Sequence, residues 1–264
     1  MQRSPCHFRL PLLIAAFILV TLSPAAHAAR TFTLIAENDW FPLTAQRNGG
    51  VEGMAVDIVR AAYAAVDVQV NFKTEIFIRC MHSVEQGEAL GCFNSAKDPA
   101  SQARYLYHKR PLYEVTVGLF SMKATGRPLK QEDLIGRTVG ITNGYDYGPL
   151  VESDPRIHRQ KTPSDLGNLR MLVAGRVEFS PITTRVAGYL FKTHPELFRQ
   201  RPVLVGDIGQ FPEFVAFSRK HPEAQEAADL LDKGLDLIHK NGTLKRIESE
   251  WTERYPVSVG KIRE

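Results

Sequence analysis

The sequence carries none of the compact signatures of catalytic or cofactor-binding chains. Its eight histidines, His82, His108 and His158 among them, show no H-E-x-x-H or other metal-ligand spacing. There is no nucleophile elbow, no phosphate-binding glycine loop and no C-x-x-C pair. Catalysis, a bound metal and a resident cofactor therefore have no support from motifs. Charge of one sign is missing too, with 33 basic residues against 29 acidic ones. A near balance of this kind argues against a nucleic-acid-binding surface. Long apolar runs are absent beyond the first residues, so no membrane anchor is visible.

The beginning of the chain reads as an export signal spanning residues 1–28. Arg3 and Arg9 give a basic start, Leu10 to Leu22 an apolar core too short to span a bilayer with ease, and Ala26-His27-Ala28 a small-x-small cleavage site. Its removal takes away two arginines and no acid, leaving 236 residues with a net charge of +2. That length suffices for one large or two small domains. Cys6 precedes the apolar core, the wrong place for a lipid-modified cysteine. Export places the mature chain in a compartment expected to be oxidising. There Cys80 and Cys92 are either a disulfide or two inert buried residues, and a bridge is expected because a short helix and its returning strand bring them together.

From residue 30 onward, strand and helix patterns alternate with short links, the signature of a layered α/β protein. Phe32 to Ile35 reads as a first strand, followed by the turn Glu37-Asn38-Asp39-Trp40-Phe41-Pro42 and a hairpin or loop tip at Gly49-Gly50. Met54 to Val66 is an amphipathic helix with Val56, Val59, Ala62, Tyr63 and Val66 on one face. Val68 to Phe72 is a strand, Ile78 to Gln86 a helix ended by Gly87, and Leu90 to Phe93 a buried strand. Tyr113 to Ser121 is again extended. A polar linker, Lys123 to Gln131, precedes a second α/β region with strands at Arg137 to Ile141 and Val177 to Ser180. Helices are expected after a Ser164 cap, with Gly175 as stop, and over Arg185 to Phe191 and Pro195 to Arg199. Phe214 to Phe217 is extended, Pro222 opens a helix through Ile238, and Leu244, Ile247 and Trp251 mark a last one.

The stretch Asn94 to Tyr113 stands out. Polar residues emerge there from a strand end, Asp98-Pro99 breaks the strand, Ser101 is placed to cap a helix, and Arg104 lies in the turn that follows. In an α/β layer a guanidinium at such a strand end faces a crevice where small ligands bind. On pattern alone, a solvated surface arginine is the alternative. The turn Thr142 to Gly148 similarly reads as an anion-favouring helix start or as an ordinary strand-to-helix turn.

W-F-P after the first strand, G-M-A-V-D-I-V in the first helix and S-Q-A-R before a P-L-Y strand appear in a fixed order. L-I-G-R-T-V-G-I-T-N-G, V-A-G-R-V-E and H-K-N-G-T-L-K-R-I-E-S-E-W follow. By this order and spacing, residues 31 to 254 resemble the periplasmic solute-binding proteins of polar amino-acid ABC transporters. The resemblance implies an α/β fold of two lobes joined by two crossing hinge strands, near Glu114 to Thr116 and Phe211 to Phe214. Lobe 1 would comprise residues 29–114 and 215–264, and lobe 2 residues 115–214. Arg104 matches the arginine that grips a ligand carboxylate. Asn94 and Ser95 lie on the contacting strand end, Trp40 matches a stacking aromatic, and Tyr145 with Asp146 matches the second-lobe turn. Arg79 is either a cleft residue or a surface charge.

One departure from the family pattern bears on the ligand. Where the family places an aspartate for the ligand's ammonium, this chain reads Phe179-Ser180-Pro181-Ile182-Thr183-Thr184. Thr183 is the nearest match, and a hydroxyl accepts a hydrogen bond without neutralising a cation. An amine would then be absent, remote, or met by Asp39, Asp146 or Glu213. The implied function is periplasmic binding of a small carboxylate-bearing, amino-acid-like solute for an ABC transporter permease, by a monomer without a cofactor. A sensory subunit for a membrane receptor is the alternative. An enzyme resembling the cyclohexadienyl dehydratases is disfavoured, because the acid those enzymes use in the same second-lobe segment is lacking.

Overall fold

The computed structural model describes Gln2 and residues 30–261. The expected leader and its cleavage site otherwise lie outside the described residues. The chain opens with β1 (Arg30–Glu37), followed by β2 (Asp39–Trp40), β3 (Thr44–Arg47) and β4 (Gly50–Glu52), which form a small antiparallel sheet. Its hairpin tip is Asn48-Gly49, both with positive φ. Helix α1 (Met54–Ala64) buries the face carrying Val56, Val59, Ala62 and Tyr63 and leads to β5 (Val68–Glu75), parallel to β1 along its whole length. Helix α2 (Phe77–Gln86) stops at Gly87, whose left-handed φ of 87° suits glycine. Next come β6 (Gly91–Ala96), α3 (Pro99–Arg104), β7 (Tyr105–Tyr107) and β8 (Tyr113–Ser121).

The second region contains a 3-10 turn at Gln131–Leu134, β9 (Thr138–Thr142), α4 (Pro149–Ser153), β10 (His158–Thr162), α5 (Asp165–Val173), β11 (Ser180–Thr183) and α6 (Thr184–Thr193). The chain returns along β12 (Val203–Ser218) and ends in α7 (Ala224–Lys240) and α8 (Thr243–Arg254). The main sheet runs β11-β8-β12-β6-β1-β5, with β7 also on β12. Its centre is the antiparallel pair of β8 and β12, and β12 is long enough to pair with β8 along its first part and with β6 and β7 along its last. The two stretches expected to cross between lobes lie opposite each other in this pair, Val115 facing Phe211 and Glu114 facing Pro212. Among the described residues no helix is long and apolar enough to cross a membrane.

Several local expectations need correction. Asp98, not Ser101, caps α3: its side chain accepts from the N–H groups of Ala100 and Ser101, and Ser101 reaches back from the third helical position. One carboxylate oxygen, Oδ1, takes both N–H groups, at 2.7 and 3.1 Å, and Pro99 then sits in the first turn. Around Phe179 there is a single parallel bridge to Val139, and the strand proper starts at Ser180. Residues 195–199 form a turn rather than a helix, Pro222 precedes α7 instead of opening it, and the polar edge strand β10 escaped the hydrophobic pattern altogether.

Cys80 of α2 and Cys92 of β6 are joined in a disulfide with a Cα–Cα distance of 5.9 Å. The bridge lies in a small core with Ile35, Phe77, Met81 and Ala216 and ties α2 to the sheet. His108 is a packing residue: its Nε2 accepts the Val215 N–H at 2.9 Å, and burial pulls its pKa down to about 3, so the ring is neutral. On the far face α1 packs against α7 and α8, where the Tyr63 hydroxyl donates to the Ala227 carbonyl at 3.0 Å and the Trp251 indole to Asp57 at 2.9 Å. A Cβ on Gly234 would stand 2.0 Å from the Ala62 carbonyl oxygen. Gly234→Ala is therefore expected to lower stability by about 3 kcal/mol in chemical denaturation, because overpacking outweighs the gain in helix propensity.

Candidate functional site

A cavity of about 800 Å³ lies where the two regions face each other. The ends of β1 and β6 with α2 and α3 supply Glu37, Asn94, Ser95, Phe77, Met81 and Arg104. The turn after β9 and the start of α5 supply Thr142, Tyr145, Asp146 and Asp165, while β8 and β12 supply Val115, Val117, Phe211 and Glu213. This collects Trp40, Asn94, Ser95, Arg104, Tyr145, Asp146 and Thr183 around one space. Arg79 is exposed and does not line it. Asp39 is likewise exposed and outside the lining.

The collected residues are held in different ways. Arg104, the last residue of α3, is half-exposed; its guanidinium lies over the Tyr105 ring and 3.8 Å from a Glu85 oxygen, too long for a strong bond. It is the cavity's loosely held cation, with Lys161 and His82 also on the lining. Asn94 adopts φ 70° and spends its side chain on the scaffold, donating to Thr44 at 2.8 Å and accepting from the Tyr113 hydroxyl at 2.5 Å. Ser95 shares a 2.9 Å hydrogen bond with Tyr107. Trp40 is buried, edge-on to Tyr145, and its indole N–H donates to Asp165 at 3.2 Å. Thr183 is buried at the end of β11, where α6 begins. Asp146 turns back to accept the Gly148 N–H at 2.7 Å, and the helix that follows is a single turn opened by Pro149, so no extended helix start faces the cavity. Gly144, at φ 89°, lets that turn approach α2: a Cβ there would meet Ile78 at 3.0 Å.

Three buried carboxyls dominate the electrostatics: Glu37, Asp165 and Glu213 are exposed by only 3%, 1% and 6%. Burial pushes Glu37 well above the usual carboxylate range, partly opposed by a short hydrogen bond from the Tyr145 hydroxyl. Asp165 is raised to about 7 by burial, although Thr142 and Trp40 donate to it. Glu213 is raised to about 8, by burial and then by the neighbouring Asp146 charge. Asn168 completes a polar network by donating to the Thr142 hydroxyl at 2.8 Å. The residue expectations did not include Glu37 or Asp165. Glu37 ends an apolar strand, and Asp165 follows a helix cap where acids are common for reasons of the helix dipole. Neither position carries a signal that separates a cavity acid from an ordinary one. Among the described residues no group of three or more histidine, cysteine or acidic side chains is placed to hold a metal ion.

The profile of the bacterial extracellular solute-binding proteins, family 3, matches residues 32–254. The chain belongs to that family. Within it, this member is 24% identical over 217 residues to a probable amino-acid-binding protein, YxeM, of Bacillus subtilis (strain 168), covering 80% of each chain. It is 26% identical to the L-cystine-binding protein TcyJ of the same organism, covering 77% of this chain and 76% of the relative. An ancestral arginine-binding protein bound to arginine superposes with a TM-score of 0.70 at 20% identity, over 84% of this chain and 97% of that structure. The family is one of extracellular solute-binding proteins, and the two-lobed α/β architecture agrees with its structural neighbours.

The raised carboxyls make the stability of this family member pH-dependent. A group whose folded pKa lies above its unfolded value stabilises most below the unfolded pKa, and that contribution is lost as pH rises through the folded value. For Asp165 the window runs from about pH 4, its unfolded value, to about 7. Asp165→Asn is expected to lose less thermal stability than the wild type between pH 5 and 8, read as melting temperature against pH.

Proposed function

We propose that this protein binds a small, carboxylate-bearing, amino-acid-like solute in the periplasm and delivers it to an ABC transporter. The observation that carries the reading is the charge layout of the cavity. A loosely held guanidinium, Arg104, stands at its exposed edge, aromatic faces from Trp40, Tyr145 and Phe211 line it, and acids stand deeper inside. Such a wall orients a solute that carries a carboxylate, with paired charge-assisted hydrogen bonds from the arginine. Asn94 and Ser95 contribute through strand-end backbone and position, Thr183 through its hydroxyl, and Tyr145 with Asp146 from the facing turn. In this reading residues 29–114 with 215–264 form one lobe and 115–214 the other. They hinge where β8 and β12 cross, and the contacts of Trp40 with Asp165 and of Tyr145 with Glu37 bridge them. That relatives bind amino acids, cystine in one case, fits a ligand of this class.

A thermal-shift screen of amino acids and organic acids is expected to give a ligand, since saturation at a hundredfold Kd adds about 2.7 kcal/mol of stability. Arg104→Ala should then weaken binding by about 1.5–3 kcal/mol in calorimetry, the worth of hydrogen bonds to a charged group, while the ligand-free melting temperature holds. Binding that is indifferent to this substitution would return Arg104 to the role of a solvated surface charge. Small-angle scattering should show a smaller radius of gyration with ligand, and an unchanged radius at saturation would remove the hinge from the account. Cells lacking the protein should stop taking up the ligand; continued uptake with an altered transcriptional response would favour the receptor alternative.

A further inference from the structure

Glu213 differs from the other two buried carboxyls. Glu37 receives the Tyr145 hydroxyl, and Asp165 receives Trp40 and Thr142. The Glu213 Oε2 is shielded from solvent and has no hydrogen-bond partner, and among the described residues no lysine or arginine forms an ion pair with this side chain. The residue sits on β12 between Tyr113 of β8 and Ala96 of β6 and lines the cavity. A buried carboxyl without a donor costs free energy unless a cation meets it or a proton neutralises it. The fold has placed this one against the space where a solute would lie.

We propose that Glu213 receives a cationic group of the solute, which makes the ligand class a carboxylate joined to a remote ammonium, an ω-amino acid rather than an α-amino acid. The proposal rests on the binding reading above and narrows it. Arg104 is half-exposed and Glu213 buried on the same lining, so a solute that meets both presents its carboxylate toward the opening and its cation inside. The segment Ser180–Thr184 offers no acid for an ammonium adjacent to the carboxylate. The titratable groups facing Glu213 are Asp146 from the turn after β9, Glu37 from the end of β1 and Tyr113 from β8. With the Glu213 carboxyl held at about 8 in the ligand-free protein, an incoming cation displaces a proton at lower pH. Affinity for a cationic solute therefore rises toward pH 8 and then levels.

Calorimetry on the mature protein tests this with 4-aminobutyrate, 5-aminovalerate and 6-aminohexanoate, the fatty acids of equal length, and α-amino acids including norleucine. At least one ω-amino acid should bind tenfold or more tightly than its fatty-acid counterpart. In Glu213→Gln that preference should shrink to about twofold, and the rise in affinity between pH 6 and 8 should disappear. A preference that survives Glu213→Gln, or equal binding of matched acids with and without the amine, overturns the assignment while leaving the binding reading in place. So does binding of α-amino acids alone. No binding by any compound in the set overturns both. Because Glu213→Gln keeps shape and removes a buried acid, its melting temperature at pH 9 should equal or exceed that of the wild type, and a fall would mark Glu213 as structural instead.

Discussion

The antiparallel pairing of β8 with β12 is the interaction on which the rest of the molecule depends. Tyr113–Ser121 and Val203–Ser218 are far apart in sequence, yet their ladder sets the centre of the main sheet. Elements on one side reach it through β6, those on the other through β11. A ligand space between the two groups exists because both hang from the same two strands. Register matters as much as pairing: a one-residue slip would turn Glu213, Phe211 and Val115 away from the cavity and send their neighbours into it.

The second constraint is the ratio of acids to cations inside that space. Three carboxyls are buried there, while the arginine on the lining is half-exposed. Hydrogen bonds from tyrosine, tryptophan and threonine satisfy two of the three, which keeps them oriented without making them easy to ionise. These bonds also run between residues far apart in the chain, Trp40 to Asp165 and Tyr145 to Glu37. The electrostatics of the cavity and the relative placement of its two walls are thus set by the same atoms.

Much of the architecture was legible in the sequence because it rests on short-range physics. The face of α1, the stop at Gly87, the Ser164 cap on α5 and the extended run Tyr113–Ser121 all follow from periodicity and capping. The pairing of Cys80 with Cys92 followed from a helix and its returning strand lying side by side. What failed to show is equally physical. Strand β10, His158–Thr162, is a polar ribbon recognisable only by its partner β9, and the turn at 195–199 has helical composition without enough length to propagate a helix. Within the site, Arg104 and the turn at Tyr145 stood out by their place at strand ends, whereas Asp165 became a cavity acid only through the fold of a region more than a hundred residues from Trp40.

The bond between Cys80 and Cys92 bears on how such a site can diversify. Helix α2 brings Phe77, Met81 and Glu85 to the cavity and β6 brings Asn94 and Ser95, and the bridge locks helix to strand. With the backbone of that wall tied from within, exchanging Glu85, which stands outside the core around the bridge, alters the polarity presented to a solute while helix and strand stay joined. A tie of this kind lets a lineage vary what the wall offers to a solute without loosening the wall itself.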